Sequence, residues 1–313
     1  MPALILGGLV VTGGGFDVEA RHAAGILAWI LVAVLLVSPY RKRIRFARPF
    51  VAVAGLMLAF AALSALSSAW SSSVAASLVE AERVVAYLGF FTLAFFVCQT
   101  DGQRRRFVEG VFLVIALIVV LAVADRLFPM TQESLAGEGP RLRFPLGYWN
   151  AVGLVGGIGV VFFAWMNRAG SHAVLRWLAA ALIPVAWVVL YLTYSRGGIA
   201  AAIVSLLSLF FLSRERLRVL VVVLLGALAA LPTVLFIQGN PAIAENLGGP
   251  DGPSEGRAVA LVLAGSMLAT ILMVRAMISF AARNPALTGR ALAVSRDQRV
   301  LKGIAAAGIA TML

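Results

Sequence analysis

The sequence is poor in charged residues and in the side chains that soluble enzymes most often use. Only 13% of its 313 residues are charged, whereas 61% are hydrophobic and the mean hydropathy is +0.97. Soluble domains carry about 25% charged residues, so this composition excludes a soluble fold and indicates that most of the chain faces lipid.

Cysteine and histidine are almost missing. The single cysteine, Cys98, excludes an internal disulfide, and two histidines, His22 and His172, are too few for a Cys/His zinc cluster. Neither a phosphate loop nor a dinucleotide-binding glycine motif is found in the sequence. We therefore predict no cofactor and no metal, and we interpret each histidine as an ordinary residue near the membrane boundary.

What the sequence has is a series of apolar runs, which predicts an all-α, polytopic membrane bundle of about ten or eleven transmembrane helices. The runs are Ala3–Val11, His22–Val37, Phe50–Leu66, Val84–Cys98, Phe107–Ala124, Ala151–Met166, Trp177–Tyr194, Gly198–Leu212, Leu217–Ile237, Ala258–Val274 and Gly303–Leu313. We expect them to form one transmembrane domain over residues 1–313.

The basic residues lie in short clusters between these runs, and their distribution predicts the orientation. Of the 26 Lys and Arg residues, 19 fall in one set of alternate loops and 7 in the other. The richer set faces the cytoplasm, so the N-terminus is predicted to be cytoplasmic, in a multi-pass protein of a bacterial inner membrane. Clusters of this kind do not form a continuous basic face, which argues against a nucleic-acid partner.

Three connecting segments are long enough to be assigned. The segments at about residues 125–150 and 238–256 are predicted outward loops, because both are rich in turn-forming residues. The basic segment at about residues 283–299 is a predicted cytoplasmic linker that can lie on anionic lipid headgroups.

A very short outward turn, TYSRGG at Thr193–Gly198, places an arginine between two apolar runs. We expect these runs to form a tight antiparallel hairpin, with Gly197 and Gly198 supplying the backbone angles of the reversal. Ser195 is a predicted cap of the following helix. Arg196 would then lie beside a helix N-terminus, a place that favours anions. The alternative is that Arg196 only reaches to lipid phosphate.

A second outward element, RLRFPLGYWNA at Arg141–Ala151, also places arginine before a helix. Pro145 and Gly147 predict a turn, and Asn150 is a predicted helix cap. The alternative is an aromatic-belt loop, with Tyr148 and Trp149 at the headgroups. Guanidinium groups bind phosphate bidentately, so the two elements together suggest an anion site suited to a diphosphate.

These motifs resemble the O-antigen ligase and polymerase-like membrane family. Members carry an arginine followed by a PLGYWNA-type entry to a helix and, later, a T-x-SRG-type hairpin. Here Arg141, Pro145–Gly153 and Thr193–Gly198 match in order and separation. The resemblance implies a multi-helix membrane glycosyltransferase that works at the outer face of the inner membrane.

The resemblance also implies substrates and site residues. The donor would be a glycan linked to undecaprenyl diphosphate, and the acceptor a sugar hydroxyl on a glycan or glycolipid. Family arginines bind the diphosphate without a metal, and this role passes by motif position to Arg141, Arg196 and Arg143. The supporting residues would be Tyr148, Trp149, Asn150 and Ser195.

The sequence departs from the family in one respect. The ligases use a histidine in a large periplasmic loop, and neither that loop nor a matching histidine is present here. The catalytic base is therefore unassigned. The run at Gly303–Leu313 ends without a polar flank or an interfacial aromatic residue. We expect an N-terminal fragment whose missing loop would follow Leu313, and whose isolated chain binds a lipid diphosphate weakly and transfers nothing.

Two other functions remain open: a transporter or channel for a small solute, and a non-catalytic membrane scaffold or fragment. The apolar runs lack ionisable residues near their centres, which proton- or ion-coupled carriers usually have. That absence and the outward arginines favour glycan transfer. A polar pathway between facing helices would favour a carrier.

Overall fold

A computed structural model describes residue 8 and residues 18–129, 139–170, 172–213, 216–247 and 252–284. Within these ranges the chain is helical and has no strand, which confirms the predicted all-α membrane bundle. Seven of the described helices are long and apolar enough to cross a membrane. The first and last apolar runs, and nearly all of the predicted linker at residues 283–299, lie outside the described residues.

The other nine apolar runs each correspond to a helix. The helices are α1 (Val18–Val37), α2 (Arg48–Leu66), α3 (Val74–Val97), α4 (Asp101–Leu127), α5 (Trp149–Ala169), α6 (Ala173–Leu192), α7 (Arg196–Leu212), α8 (Arg216–Gln238), the short α9 (Pro241–Ala244), and α10 (Gly252–Arg283). Short 3₁₀ turns at Pro39–Arg43 and Ser67–Ala69 precede and follow α2.

Helix α3 begins ten residues before the apolar run that predicted it. Ser73 caps this earlier start by accepting a hydrogen bond from the Ala76 amide at 3.4 Å. The extension brings Glu80, Glu82 and Arg83 into the helix, although hydrophobicity alone had placed them before it. Apolar runs therefore underestimate a helix whose first turns carry charge.

The chain forms two compact units of packed helices, and the single transmembrane domain over residues 1–313 stays a prediction. The first comprises residues 1–117 and 145–147, and in it α3 packs against both α1 and α2. Its core includes Phe50, whose ring stacks on that of Phe95 with centroids 4.0 Å apart. The indole of Trp29 donates a hydrogen bond to the Val85 carbonyl at 3.0 Å and joins α1 to α3.

The second unit comprises residues 118–144 and 148–313 and is built around α6. Helices α5, α8 and α10 all pack against α6, so most of its side chains from Ala179 to Leu192 are buried. Between α8 and α10, the hydroxyls of Thr233 and Ser266 form a hydrogen bond at 2.8 Å. Such hydroxyl contacts stabilise helix pairs in an apolar surrounding.

Three of the segments predicted to face outward, at residues 125–150, 193–198 and 238–256, meet at one end of the second unit. The Leu142 amide donates to the Leu192 carbonyl at 3.0 Å, which joins the long loop to the end of α6. The Arg126 side chain donates to the Ile243 carbonyl at 3.2 Å, which joins the end of α4 to α9. Within this unit, the segments predicted to lie on one side of the membrane are therefore found at one end of the helices. Which side of the membrane this end faces stays a prediction.

Cysteine labelling tests the predicted orientation. In a Cys98→Ser background, Leu247→Cys lies in a predicted outward loop and Gly102→Cys in a predicted cytoplasmic turn, and both positions are exposed. We expect an impermeant thiol reagent to label Leu247→Cys in intact spheroplasts and Gly102→Cys only after lysis. The reverse pattern would invert the orientation.

Candidate functional site

The N-termini of α5 and α7 are joined by side chains from both predicted motifs. The Ser195 hydroxyl accepts a hydrogen bond from the Gly198 amide at 3.0 Å, which confirms it as the cap of α7. It also donates to the Asn150 side-chain oxygen at 2.9 Å. Asn150 in turn donates to the Tyr148 hydroxyl at 2.6 Å. The prediction that Asn150 caps α5 is wrong, because α5 begins before it, at Trp149.

Glycines allow these two helix ends to approach closely. A methyl group added at Gly198 would lie 2.6 Å from the Gly153 carbonyl oxygen, and one added at Gly153 would lie 2.6 Å from the Ser195 β-carbon. At Gly157 an added β-carbon would overlap the Gly198 carbonyl oxygen. Small residues bring membrane helices into backbone contact in this way, and here they place two helix N-termini side by side.

The predicted tight hairpin between α6 and α7 is wrong. Helix α7 packs against α5 rather than along α6, so the two helices joined by three residues diverge. The residue with the left-handed backbone is Tyr194, with φ of 49°, and not Gly197 or Gly198, which belong to α7. A non-glycine residue adopts this conformation only where its surroundings impose it.

The divergence of α6 and α7 leaves a groove of about 500 Å³ that is closed on its third side by α8. Arg196 and Ser195 lie at one end of it, and apolar side chains such as Ile199 and Leu231 form its walls. The indole nitrogen of Trp187, another lining residue, is buried without a hydrogen-bond partner among the described residues. Tyr194 also lines the groove, and partial burial raises the pKa of its phenol.

Arg141 lies against the first residue of α5. Its guanidinium carbon is 5.1 Å from the centre of the Trp149 ring, a cation–π contact that orients the side chain while leaving it exposed. Arg143 is half-buried. Gly147, with φ of 73°, forms part of the predicted turn.

Two of the three predicted arginines therefore lie at the entry of a helix with exposed side chains. Within the described ranges, neither Arg141 nor Arg196 has a hydrogen bond or ion pair through its guanidinium group. The first amides of an α-helix also lack intrahelical partners and carry the positive end of the helix dipole. The arrangement can thus offer charged and backbone donors together to an anion.

Arg126 is a candidate that no sequence motif indicates, since it is only one of the seven basic residues in the predicted outward loops. It lies in the last turn of α4 and is 3% exposed, beside Asp125, which is 1% exposed. The sequence did contain one sign of this buried pair: Asp125 and Arg126 directly follow the apolar run at Phe107–Ala124. Ionisable residues at the end of a membrane span usually have a partner or a function.

The first unit has a larger apolar pocket, of about 920 Å³, that contains none of the predicted site residues. His22 and Glu82 lie on its lining, with the imidazole Nε2 3.0 Å from a carboxylate oxygen. Both side chains are more than a third exposed, so water and salt screen the pair. Size alone does not make this pocket the better candidate for an anion site.

No protein-family model, curated protein or solved structure matches the chain. The resemblance to the O-antigen ligase family therefore rests on the two short motifs alone and stays a prediction. Groups of three or more possible metal ligands are also missing from the described residues. An anion bound here would depend on arginine and backbone donors.

Proposed function

We propose that the chain binds the diphosphate of an undecaprenyl diphosphate-linked glycan at the outer end of its second unit, as part of an O-antigen ligase or polymerase-like glycosyltransferase. The observation that carries the proposal is that Arg141 and Arg196 lie at two adjoining helix N-termini with exposed guanidinium groups that have no ion pair among the described residues.

The charges suit a diphosphate better than a single phosphate. Each phosphate carries a negative charge, and each guanidinium offers two parallel N–H donors in the geometry of phosphate oxygens. Arg141 lies beside α5 and Arg196 lies on α7, so each guanidinium can bind one of the two phosphates. The Ser195–Asn150 hydrogen bond between the helix ends limits how far the two can separate.

The groove suits a hydrocarbon chain attached to that headgroup. It begins at Arg196 and continues between α6, α7 and α8 along walls of apolar side chains. A polyprenyl chain in the groove would remain in an apolar surrounding while its diphosphate lay at the membrane boundary. One lipid would then use both parts of the site.

The chemistry follows from the leaving group. The acceptor hydroxyl attacks the anomeric carbon of the donor sugar, the glycosyl–phosphate bond breaks, and the diphosphate leaves with its electron pair. Fixed cations stabilise the charge that develops on it. A base must take the hydroxyl proton, and we assign that role to no residue.

The carrier alternative gains no support from the described residues. Their buried ionisable groups are Asp125 and Arg126 at the end of α4 and Arg216 at the start of α8. The polar contact between α8 and α10 at Thr233 and Ser266 is a local hydroxyl pair. A polar route along the helices, which a carrier needs, is therefore not found in this part of the chain.

A lipid titration of the purified chain tests the proposal. We expect undecaprenyl diphosphate to bind about tenfold more tightly than undecaprenyl monophosphate, because the second phosphate adds charge-assisted hydrogen bonds. Native mass spectrometry in detergent can measure both lipids, with phosphatidylglycerol as the control. Equal affinity for all three would mean that the arginines only anchor the helices at lipid headgroups.

A further inference from the structure

The buried Arg126 connects segments that are far apart in the sequence. Its Nη2 atom donates to the Pro140 carbonyl at 2.7 Å, and its Nη1 atom donates to the Ile243 carbonyl at 3.2 Å. The side chain is 3% exposed, so it cannot reach a lipid headgroup itself. Pro140 directly precedes Arg141, and Arg126 therefore acts on the peptide unit next to the proposed phosphate ligand.

The chemistry of this contact calls for a guanidinium group. The two carbonyls belong to different segments, and a planar fork donates to both at once, whereas an ammonium group is a single point charge. A buried cation is costly unless its charge and donors are satisfied. The neighbouring Asp125 carboxylate, 1% exposed, supplies an opposite charge beside it.

Arg141 also has a second constraint from the side chain of Trp149, which its guanidinium covers. The Leu142 amide, on its other side, is hydrogen-bonded to Leu192. The backbone of Arg141 is thus fixed from both sides, by Arg126 through Pro140 and by Leu192 through Leu142. Arg196 depends instead on the Ser195 cap and Asn150.

We infer that Arg126 is a positioning residue that orients Arg141 toward a bound lipid diphosphate, an inference that rests on the proposed function. Arg126 touches no substrate. It fixes the loop backbone at Pro140, and so reduces the freedom that Arg141 loses when it binds phosphate. No hydrogen bond of Arg126 reaches the backbone of Arg196, whose helix end is held by the Ser195 cap.

A double-mutant cycle tests the inference. We expect Arg126→Lys to weaken undecaprenyl diphosphate binding about tenfold, because one of two charge-assisted bonds is lost. In an Arg141→Ala background the same change should have little effect. In an Arg196→Lys background it should again cost about tenfold. An equal loss in the Arg141→Ala background would overturn the inference, because a purely structural role would not depend on Arg141.

Arg126→Met covers the case in which the lysine variant does not fold. Removing one member of a buried ion pair is strongly destabilising, whereas replacing both members by apolar side chains is often neutral. Arg126→Met is therefore always made together with Asp125→Leu, and the resulting protein lacks both donors. We expect the same dependence on Arg141 as with lysine. Independence from Arg141 in a folded Arg126→Met protein would again overturn the inference.

Limited trypsin digestion without lipid separates this inference from the proposed function. We expect cleavage after the exposed Arg141 to be several-fold faster in Arg126→Met than in the wild type, since the loop is released from α4. Arg257→Met, an exposed outward arginine on α10, is the control and should leave the rate unchanged. An unchanged rate in Arg126→Met refutes the positioning role even if the wild type binds no diphosphate. Faster cleavage without lipid binding would refute only the proposed function.

Discussion

Arg196→Ala is expected to reduce the affinity for undecaprenyl diphosphate by about a hundredfold. This is the upper end of the loss expected when the charge-assisted hydrogen bonds of a bidentate guanidinium are removed. Arg196 is the first residue of α7 and lies at one end of the apolar groove. In the proposed complex it would therefore bind the headgroup where the lipid chain enters the groove. Arg196→Lys should recover only part of the loss, to within about tenfold of the wild type, because a point charge cannot reproduce fork geometry. Lipid titration by native mass spectrometry measures all three proteins.

Arg257→Ala is the matched control for this experiment. Arg257 is an exposed arginine predicted to face the same side of the membrane, but it lies within α10 and lines no part of the groove. We expect its alanine variant to bind as the wild type does. If Arg257→Ala and Arg196→Ala weaken binding equally, the arginines contribute only a general positive potential, and the specific role of Arg196 is refuted.

Gly198→Ala is expected to destabilise the second unit by about 1–3 kcal/mol, the range for overpacking a tight contact. The added methyl group would meet the Gly153 carbonyl at 2.6 Å and the Leu190 Cδ1 atom at 2.8 Å. The backbone of α5 cannot move away without shifting the helix end that bears Trp149. We therefore expect a lower thermal unfolding midpoint in detergent and also weaker diphosphate binding.

Gly197→Ala is the neighbouring control. Its added methyl group would meet only the Ser195 hydroxyl oxygen, at 3.7 Å, and alanine favours the helix by about 1 kcal/mol over glycine. This variant should be as stable as the wild type or more so. Equal destabilisation by both substitutions would show that the loss does not come from the close approach of α5 and α7, and would contradict the packing role of Gly198.

The helices could be predicted from sequence because hydrophobicity decides which segments enter a bilayer. Nine of the eleven apolar runs coincide with described helices. The start of α3 could not be predicted in the same way, because Glu80, Glu82 and Arg83 interrupt the apolar pattern without interrupting the helix. Helix formation depends on backbone hydrogen bonds and the Ser73 cap, which tolerate exposed charge.

Only those features of the site that depend on residues close together in the sequence could be predicted. Ser195 follows the capping preference of its residue type, and its role as a cap is confirmed. Gly198 was assigned to a turn because glycine favours turns, yet its role is close packing against Gly153. That difference depends on which helix α7 packs against, and no short motif determines it.

Arg126 shows the same limit more clearly. Its two acceptors are Pro140 and Ile243, and the second is 117 positions away in the sequence. An arginine at the end of an apolar run suggests a residue that reaches to lipid headgroups. Only the tertiary arrangement of α4, the long loop and α9 reveals that this side chain is buried.

Photocrosslinking tests the central claim, a lipid diphosphate at Arg141 and Arg196, most directly. An undecaprenyl diphosphate analogue with a photoreactive group near the headgroup end of its chain would be irradiated with the purified protein, and the labelled peptides mapped by mass spectrometry. We predict labelling of groove residues such as Tyr191, Ile199 and Leu231, and its loss in Arg196→Ala. Labelling confined to the exposed apolar faces of the first unit, or unchanged labelling in Arg196→Ala, would contradict the account.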